Sequence, residues 1–109
     1  MPGASGPNLA IATSVDPHAT VVEVSGELDT ETSPLLRRAV EEAIAVRPAT
    51  LVLDVQQLSF MDSYGIACLI GARKLLASRE IPLTVRCGNG TPAARLLTIA
   101  GLSHVLDLS

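Results

Sequence analysis

The run Leu51-Val52-Leu53-Asp54-Val55 offers no polar side of period two, so it reads as a central strand buried on both faces. Ser33-Pro34 precedes it by a helix length, with Leu36, Ala39, Val40, Ala43 and Ile44 at helical spacing and Pro48 as the stop. It leads through Phe60-Met61-Asp62-Ser63-Tyr64-Gly65-Ile66 into a second helical pattern, from Ser63 to about Arg79. A strand before the first helix, Thr20 to Leu28, completes a strand-helix-strand unit. The chain is therefore read as α/β with a parallel crossover.

The remaining elements follow from local signals. Leu9 to Val15 reads as a strand joined to Thr20–Leu28 by a turn at Asp16-Pro17-His18. Ile81 to Cys87 is a further strand, and Thr91-Pro92 caps a third helix that ends at Gly101. Leu102 is placed to fold back on Leu97, and His104 to Leu108 to add a last short strand. Residues 1–8 read as a frayed tail. On the first helix Arg37, Arg38, Glu41 and Glu42 form a solvated face, with Arg38 and Glu42 spaced for a weak pair. The second helix is expected to bury Ile66, Leu69, Ile70, Leu76 and Ala77. Its other face, through Tyr64, Ala67, Gly71, Lys74 and Ser78, is small or polar: either plain solvated surface, or a stripe that lets a partner approach the helix backbone closely.

Composition narrows the function. At 109 residues there is room for one core and not for separate catalytic and cofactor domains. The single Phe, single Tyr and absent Trp provide no stacking platform, and a formal net charge of −3 argues against a nucleic-acid backbone as direct partner. The opening residues lack the basic and apolar regions of a signal peptide, and no apolar run reaches spanning length, so a cytoplasmic protein off the membrane is expected. Cys68 and Cys87 lack metal or redox spacing, His18 and His104 stand alone, and buried reduced thiols are the expectation.

Ser63 begins a helix beside the Asp62 carboxylate. A hydroxyl there caps free N–H groups, and the helix dipole favours an attached phosphate by about 0.3–1 kcal/mol. Ser63 is thus a candidate phosphoacceptor. It also resembles a hydrolase nucleophile at a strand-to-helix turn, but Met61 replaces the glycine of that elbow and an acid and base are not convincingly placed. Gly88-Asn89-Gly90-Thr91-Pro92-Ala93 mimics a dinucleotide loop with too little chain after it, so a turn with a helix cap is the reading. Asp29, Asp54 and Asp62 are read as loop hydrogen-bond acceptors in preference to a metal set.

Four segments together resemble the STAS domain family, specifically its single-domain bacterial anti-sigma-factor antagonists. They are Gly26-Glu27-Leu28-Asp29 with Ser33-Pro34-Leu35-Leu36-Arg37, then Leu51-Val52-Leu53-Asp54, Phe60-Met61-Asp62-Ser63, and Gly101-Leu102 with Val105. The resemblance implies a STAS-like mixed β-sheet partly covered by α-helices, as one domain over residues 9–109. It further implies a non-enzymatic protein without cofactor that binds an anti-sigma factor serine kinase and so releases a sigma factor. Phosphorylation of Ser63 would switch it off, and a metal-dependent serine phosphatase would reverse this. ATP and Mg²⁺ would belong to the kinase. The implied partner-binding residues are Asp29, Asp62, Ser63, Tyr64, Ala67 and Gly71. Tyr64 stands where the family commonly carries a second small hydroxyl residue, and Ala67-Cys68 replaces a Gly-Val pair. Two other readings remain: a non-phosphorylated STAS subunit of a transporter-associated or stress-sensing complex, and a small hydrolase.

Overall fold

The computed structural model describes residues 8–99 and Gly101. In chain order the elements are β1 (Leu9–Val15), β2 (Thr20–Leu28), α1 (Ser33–Ala45), β3 (Leu51–Met61), α2 (Ser63–Ser78), β4 (Leu83–Arg86) and α3 (Pro92–Ile99). The strands lie in the order β1-β2-β3-β4. The first pair is antiparallel and the other two are parallel, which makes the mixed sheet that the sequence led us to expect. Asn8, assigned to the tail, gives its carbonyl to the Glu27 N–H. The rest of that tail, the expected strand from His104 and the packing of Leu102 on Leu97 lie outside the described residues.

The β1–β2 turn is held by Asp16, whose Oδ1 accepts from the N–H groups of His18 at 2.8 Å and Ala19 at 2.9 Å. Bonds of this kind favour the carboxylate, and they hold the Asp16 pKa below its ordinary value, Ala19 contributing most. Helix α1 begins one residue earlier than Ser33 as a cap implies. Thr32 is the boundary residue and Ser33 is already helical, with Pro34 in the first turn, where its missing N–H costs nothing. At the far end Arg47 takes a left-handed φ of 51°, and Pro48 follows. The Arg38–Glu42 pair is present at 3.9 Å and fully in solvent, so it adds little.

Strand β3 is longer than its apolar run. Leu51 to Val55 is buried throughout, as expected, and pairing with β2 then continues to Met61. The extension breaks alternation because the register shifts twice. Glu23 and Ser25 face Asp54 and Gln57, and Gly26 and Glu27 face Leu58 and Phe60, so β3 carries an extra residue each time. Strand β4 is shorter than expected, Leu83–Arg86 against Ile81–Cys87.

Helix α2 buries Gly65, Leu69, Ala72 and Leu76, a stripe rotated from the expected one. Ile66 and Ile70 are half-buried and Ala77 is exposed. The anticipated small stripe, Tyr64, Ala67, Gly71, Lys74 and Ser78, does face outward. Helices α1 and α2 pack against each other and cover the sheet, α1 over β1 and β2, α2 over β3 and β4, while α3 packs on β3. Val22, Val24, Leu36, Leu53, Leu69 and Leu76 form the middle of the core.

Candidate functional site

Leu28 and Met61 are register partners at the ends of parallel strands β2 and β3. Asp29 and Asp62, the next residue on each strand, therefore emerge side by side at the carboxyl edge of the sheet. The Asp62 N–H donates to the Leu28 carbonyl at 3.2 Å and ties the two ends together. Gly65 completes the junction. A Cβ there would lie 2.6 Å from Met61 Cγ and 2.8 Å from the Leu28 carbonyl oxygen, so the first turn of α2 rests directly on the end of β2.

Asp62 caps α2. It is extended, with φ −111° and ψ −170°, and its Oδ1 accepts from the N–H groups of Tyr64 at 2.9 Å and Gly65 at 3.1 Å. The cap expected from the Ser63 hydroxyl is instead the Asp62 carboxylate. A cap must stand outside the helix to reach its second and third N–H groups, and Ser63 is already helical. Ser63 is exposed at the first position of α2.

Asp29 holds the β2–α1 turn. Its Oδ1 accepts from the N–H groups of Glu31 at 3.0 Å and Thr32 at 3.1 Å, and it lies 3.2 Å from Thr32 Oγ1. Thr32 Oγ1 in turn donates to the Glu27 carbonyl and accepts from the Asp29 N–H. Asp29 is thus the loop acceptor that the sequence suggested, half-buried and beside Asp62. Asp54 is separate from both: it sits buried within β3, accepts from the N–H of Gln56 and pairs with Arg86 of β4 at 3.5 Å. Among the described residues no group of three or more His, Cys, Asp or Glu side chains is arranged to hold a metal ion. No described helix is long and apolar enough to cross a membrane.

From this edge a groove of about 310 Å³ runs between α1 and α2. Thr30, Ser33 and Arg37 line one wall, and Tyr64, Ala67 and Gly71 the other. The structure thus gathers Asp29, Asp62, Ser63 and Tyr64 at the sheet edge and continues through Ala67 and Gly71 along α2. A Cβ at Gly71 would meet nothing within 4 Å, so no inward packing requires a glycine there. Arg37 and Glu41 were read only as solvated charge, although they also border the groove. Their spacing of four residues from Ser33 onward is the signal that places them on one stripe.

Cys68 lies at the floor of this groove, with Sγ 3.6 Å from the Ser33 carbonyl. Burial pushes its thiol pKa up against a smaller opposing pull from the Arg37 charge. A thiol pushed in this direction is less disposed to ionise, which suits a packing residue. Cys87 is buried, as expected, whereas Cys68 is only half-buried because it lines the groove, and neither cysteine is in a disulfide. In the glycine-rich turn after β4, Gly88 and Gly90 take positive φ values. The Thr91 Oγ1 accepts from the Ala94 N–H, so this is the turn and helix cap that the sequence implied.

Comparison with known proteins agrees with this architecture. The chain is 34% identical over 102 residues to an anti-sigma F factor antagonist of Paenibacillus polymyxa, covering 93% of this chain and 86% of that one. It is 34% identical over 85 residues to an anti-sigma-B factor antagonist of Listeria monocytogenes, covering 78% and 74% respectively. A crystal structure of an anti-sigma factor antagonist from Mycobacterium paratuberculosis superimposes with a TM-score of 0.82 at 27% identity, covering 94% of this chain and 87% of that one. The family model described as the STAS domain matches residues 10–109. With its mixed sheet, its covering helices and this match over nearly the whole sequence, the chain belongs to the STAS domain family.

Proposed function

We infer that this protein is an anti-sigma-factor antagonist acting in the cytoplasm, which binds an anti-sigma factor with serine kinase activity and so frees a sigma factor. Phosphorylation of Ser63 switches it off, and a metal-dependent serine phosphatase restores it. The observation that carries this reading is the division of labour at the start of α2. Asp62 caps the helix, so the fold has no need of the exposed Ser63 hydroxyl, and that hydroxyl is available for modification. The names of the relatives supply the class of partner.

The physical consequence is a charge switch. Phosphate adds about −1.5 to −2 charges beside Asp62. Desolvating that anion in an interface without arginine partners costs several kcal/mol, while the helix dipole returns only about 0.3–1 kcal/mol. The free domain tolerates the phosphate and the complex does not, with no refolding required.

Incubation with the anti-sigma-factor kinase of its own cell and labelled ATP should modify the wild type and not Ser63→Ala. Label at Ser59 or Tyr64 would reject the assignment. In calorimetry against the same anti-sigma factor, Ser63→Ala should bind like the unmodified protein, Ser63→Glu more weakly, and the phosphorylated protein weakest of all. Gly71→Leu, which adds bulk only in open space, should lower affinity without unfolding the protein; unchanged affinity would remove the α2 face from the interface.

A further inference from the structure

Strand β1 is the outermost strand of the sheet, paired with β2 on one side and, among the described residues, with no strand on the other. Its sequence, Leu-Ala-Ile-Ala-Thr-Ser-Val, contains no charge and no proline. Exposed edges invite pairing with another strand, and natural sheets blunt them with lysine, proline, inward charges or bulges. None of these devices is present in β1. Its register with β2 runs unbroken from Leu9 opposite Gly26 to Val15 opposite Thr20.

Hydrogen-bond parity identifies the backbone groups that face outward. The Asp16 N–H donates to the Ala19 carbonyl, and the Glu27 N–H donates to the Asn8 carbonyl, so the bonded positions at both ends of the ladder are even-numbered. Opposed residues of an antiparallel pair alternate between bonded and non-bonded. Ala10, Ala12 and Ser14 therefore direct their backbone groups to β2. Leu9, Ile11, Thr13 and Val15 turn theirs to the open side. Thr20, opposite Val15, agrees with this parity, since its N–H goes to the Thr50 carbonyl on the β3 side.

We propose that β1 pairs antiparallel with β1 of a second copy, about a two-fold axis at Ala12, and joins the two four-stranded sheets into one. In this register Ile11 opposes Thr13 of the second copy and Leu9 opposes its Val15, so every outward odd-numbered residue meets another. Three observations select a second copy as the occupant. The strand is uncharged, so like meets like without repulsion. The parity of the outward groups is self-complementary under the two-fold. Val15, 68% exposed, comes to lie beside Leu9, which already packs on the core. The small Ala12 side chains face each other at a non-bonded position, where opposed Cα atoms come within about 4.5 Å.

One strand pair buries less than the roughly 1,200 Å² of a standard stable interface, so the dimer is weak and concentration-dependent. The two-fold reverses the direction of β2 and β3. It sets the two Asp29–Asp62 edges at opposite ends of the joined sheet and lets one dimer engage two partner molecules.

Sedimentation velocity and amide exchange on the full chain, over roughly 10–500 µM, test this. The sedimentation coefficient should rise from monomer to dimer, and exchange at Leu9, Ile11, Thr13 and Val15 should slow in step. Thr13→Pro removes one outward N–H per copy and leaves the β2 ladder intact, and Thr13→Lys places a charge at the edge. Each should weaken dimerisation by about tenfold or more with the thermal transition retained. Should the proline variant fail to fold, the lysine variant decides. A monomer throughout the range overturns the proposal, as does a dimer indifferent to the substitutions. Protection of the odd amides in the monomer also overturns it, because the chain would then be covering its own edge.

Discussion

Ser33 and Ser63 each open a helix after a strand that is followed by an aspartate, yet their surroundings differ. Ser33 is buried, and its hydroxyl donates to the Asp29 carbonyl inside a turn where Thr32 and the Asp29 carboxylate satisfy further backbone groups. Ser63 is exposed, and the Asp62 carboxylate alone holds the Tyr64 and Gly65 N–H groups. The spacing of the aspartate makes the difference. Three residues separate Asp29 from Ser33, so the chain folds a polar turn around both. None separates Asp62 from Ser63, so the carboxylate takes the cap and Ser63 is left exposed in the first turn. One serine is bound into the fold and the other is not needed to cap its helix.

Substitutions at the two starts test that contrast in urea unfolding. The largest effect should come from Gly65→Val, which drives side-chain atoms into Met61 and the Leu28 carbonyl. Overpacking of this kind costs about 1–3 kcal/mol or more, and a neutral outcome would mean that α2 does not rest on β2 as described. Thr32→Val keeps the shape and removes the hydroxyl that joins Glu27 to Asp29. Stranding those two backbone groups should cost about 1–3 kcal/mol.

Asp62→Ala should cost about 1 kcal/mol, the ordinary loss of a cap. If instead the loss fell on Ser63→Ala, the roles of the two residues would be reversed. Ser63→Ala itself should change stability by no more than about 0.5 kcal/mol, the smallest effect of the set. A larger loss would show that the hydroxyl supports the fold and would erase the contrast with Ser33.

Much of this was legible beforehand. The hairpin at Asp16-Pro17, the α1 stop near Pro48 and the Thr91 cap all rest on interactions within a few residues, and the buried Leu51–Val55 strand, though covered by distant segments, marks itself by an unbroken apolar run. The outward stripe of α2 was legible from helical periodicity, whereas the grouping of Asp29 and Asp62 with Ser63 and that stripe came from the resemblance to the STAS family. Less visible were the length of β3 and the face that α2 buries. Two bulges against β2 disrupt the alternation that reveals a strand, and small Gly65 and Ala72 carry little apolar signal although both are buried.

Sequence alone therefore determined the order of elements, the single α/β core and the position of the serine, since side-chain periodicity and turn chemistry are encoded residue by residue. Only the tertiary structure decided that Asp62 and not Ser63 caps α2, and that a glycine is needed at Gly65 and not at Gly71. The need for glycine at Gly65 depends on a contact between distant segments, because the Leu28 carbonyl meets the first turn of α2 only after β2 and β3 have paired. The same pairing, through the Asp62 N–H on the Leu28 carbonyl, fixes where β3 ends and so which residue stands just outside the helix.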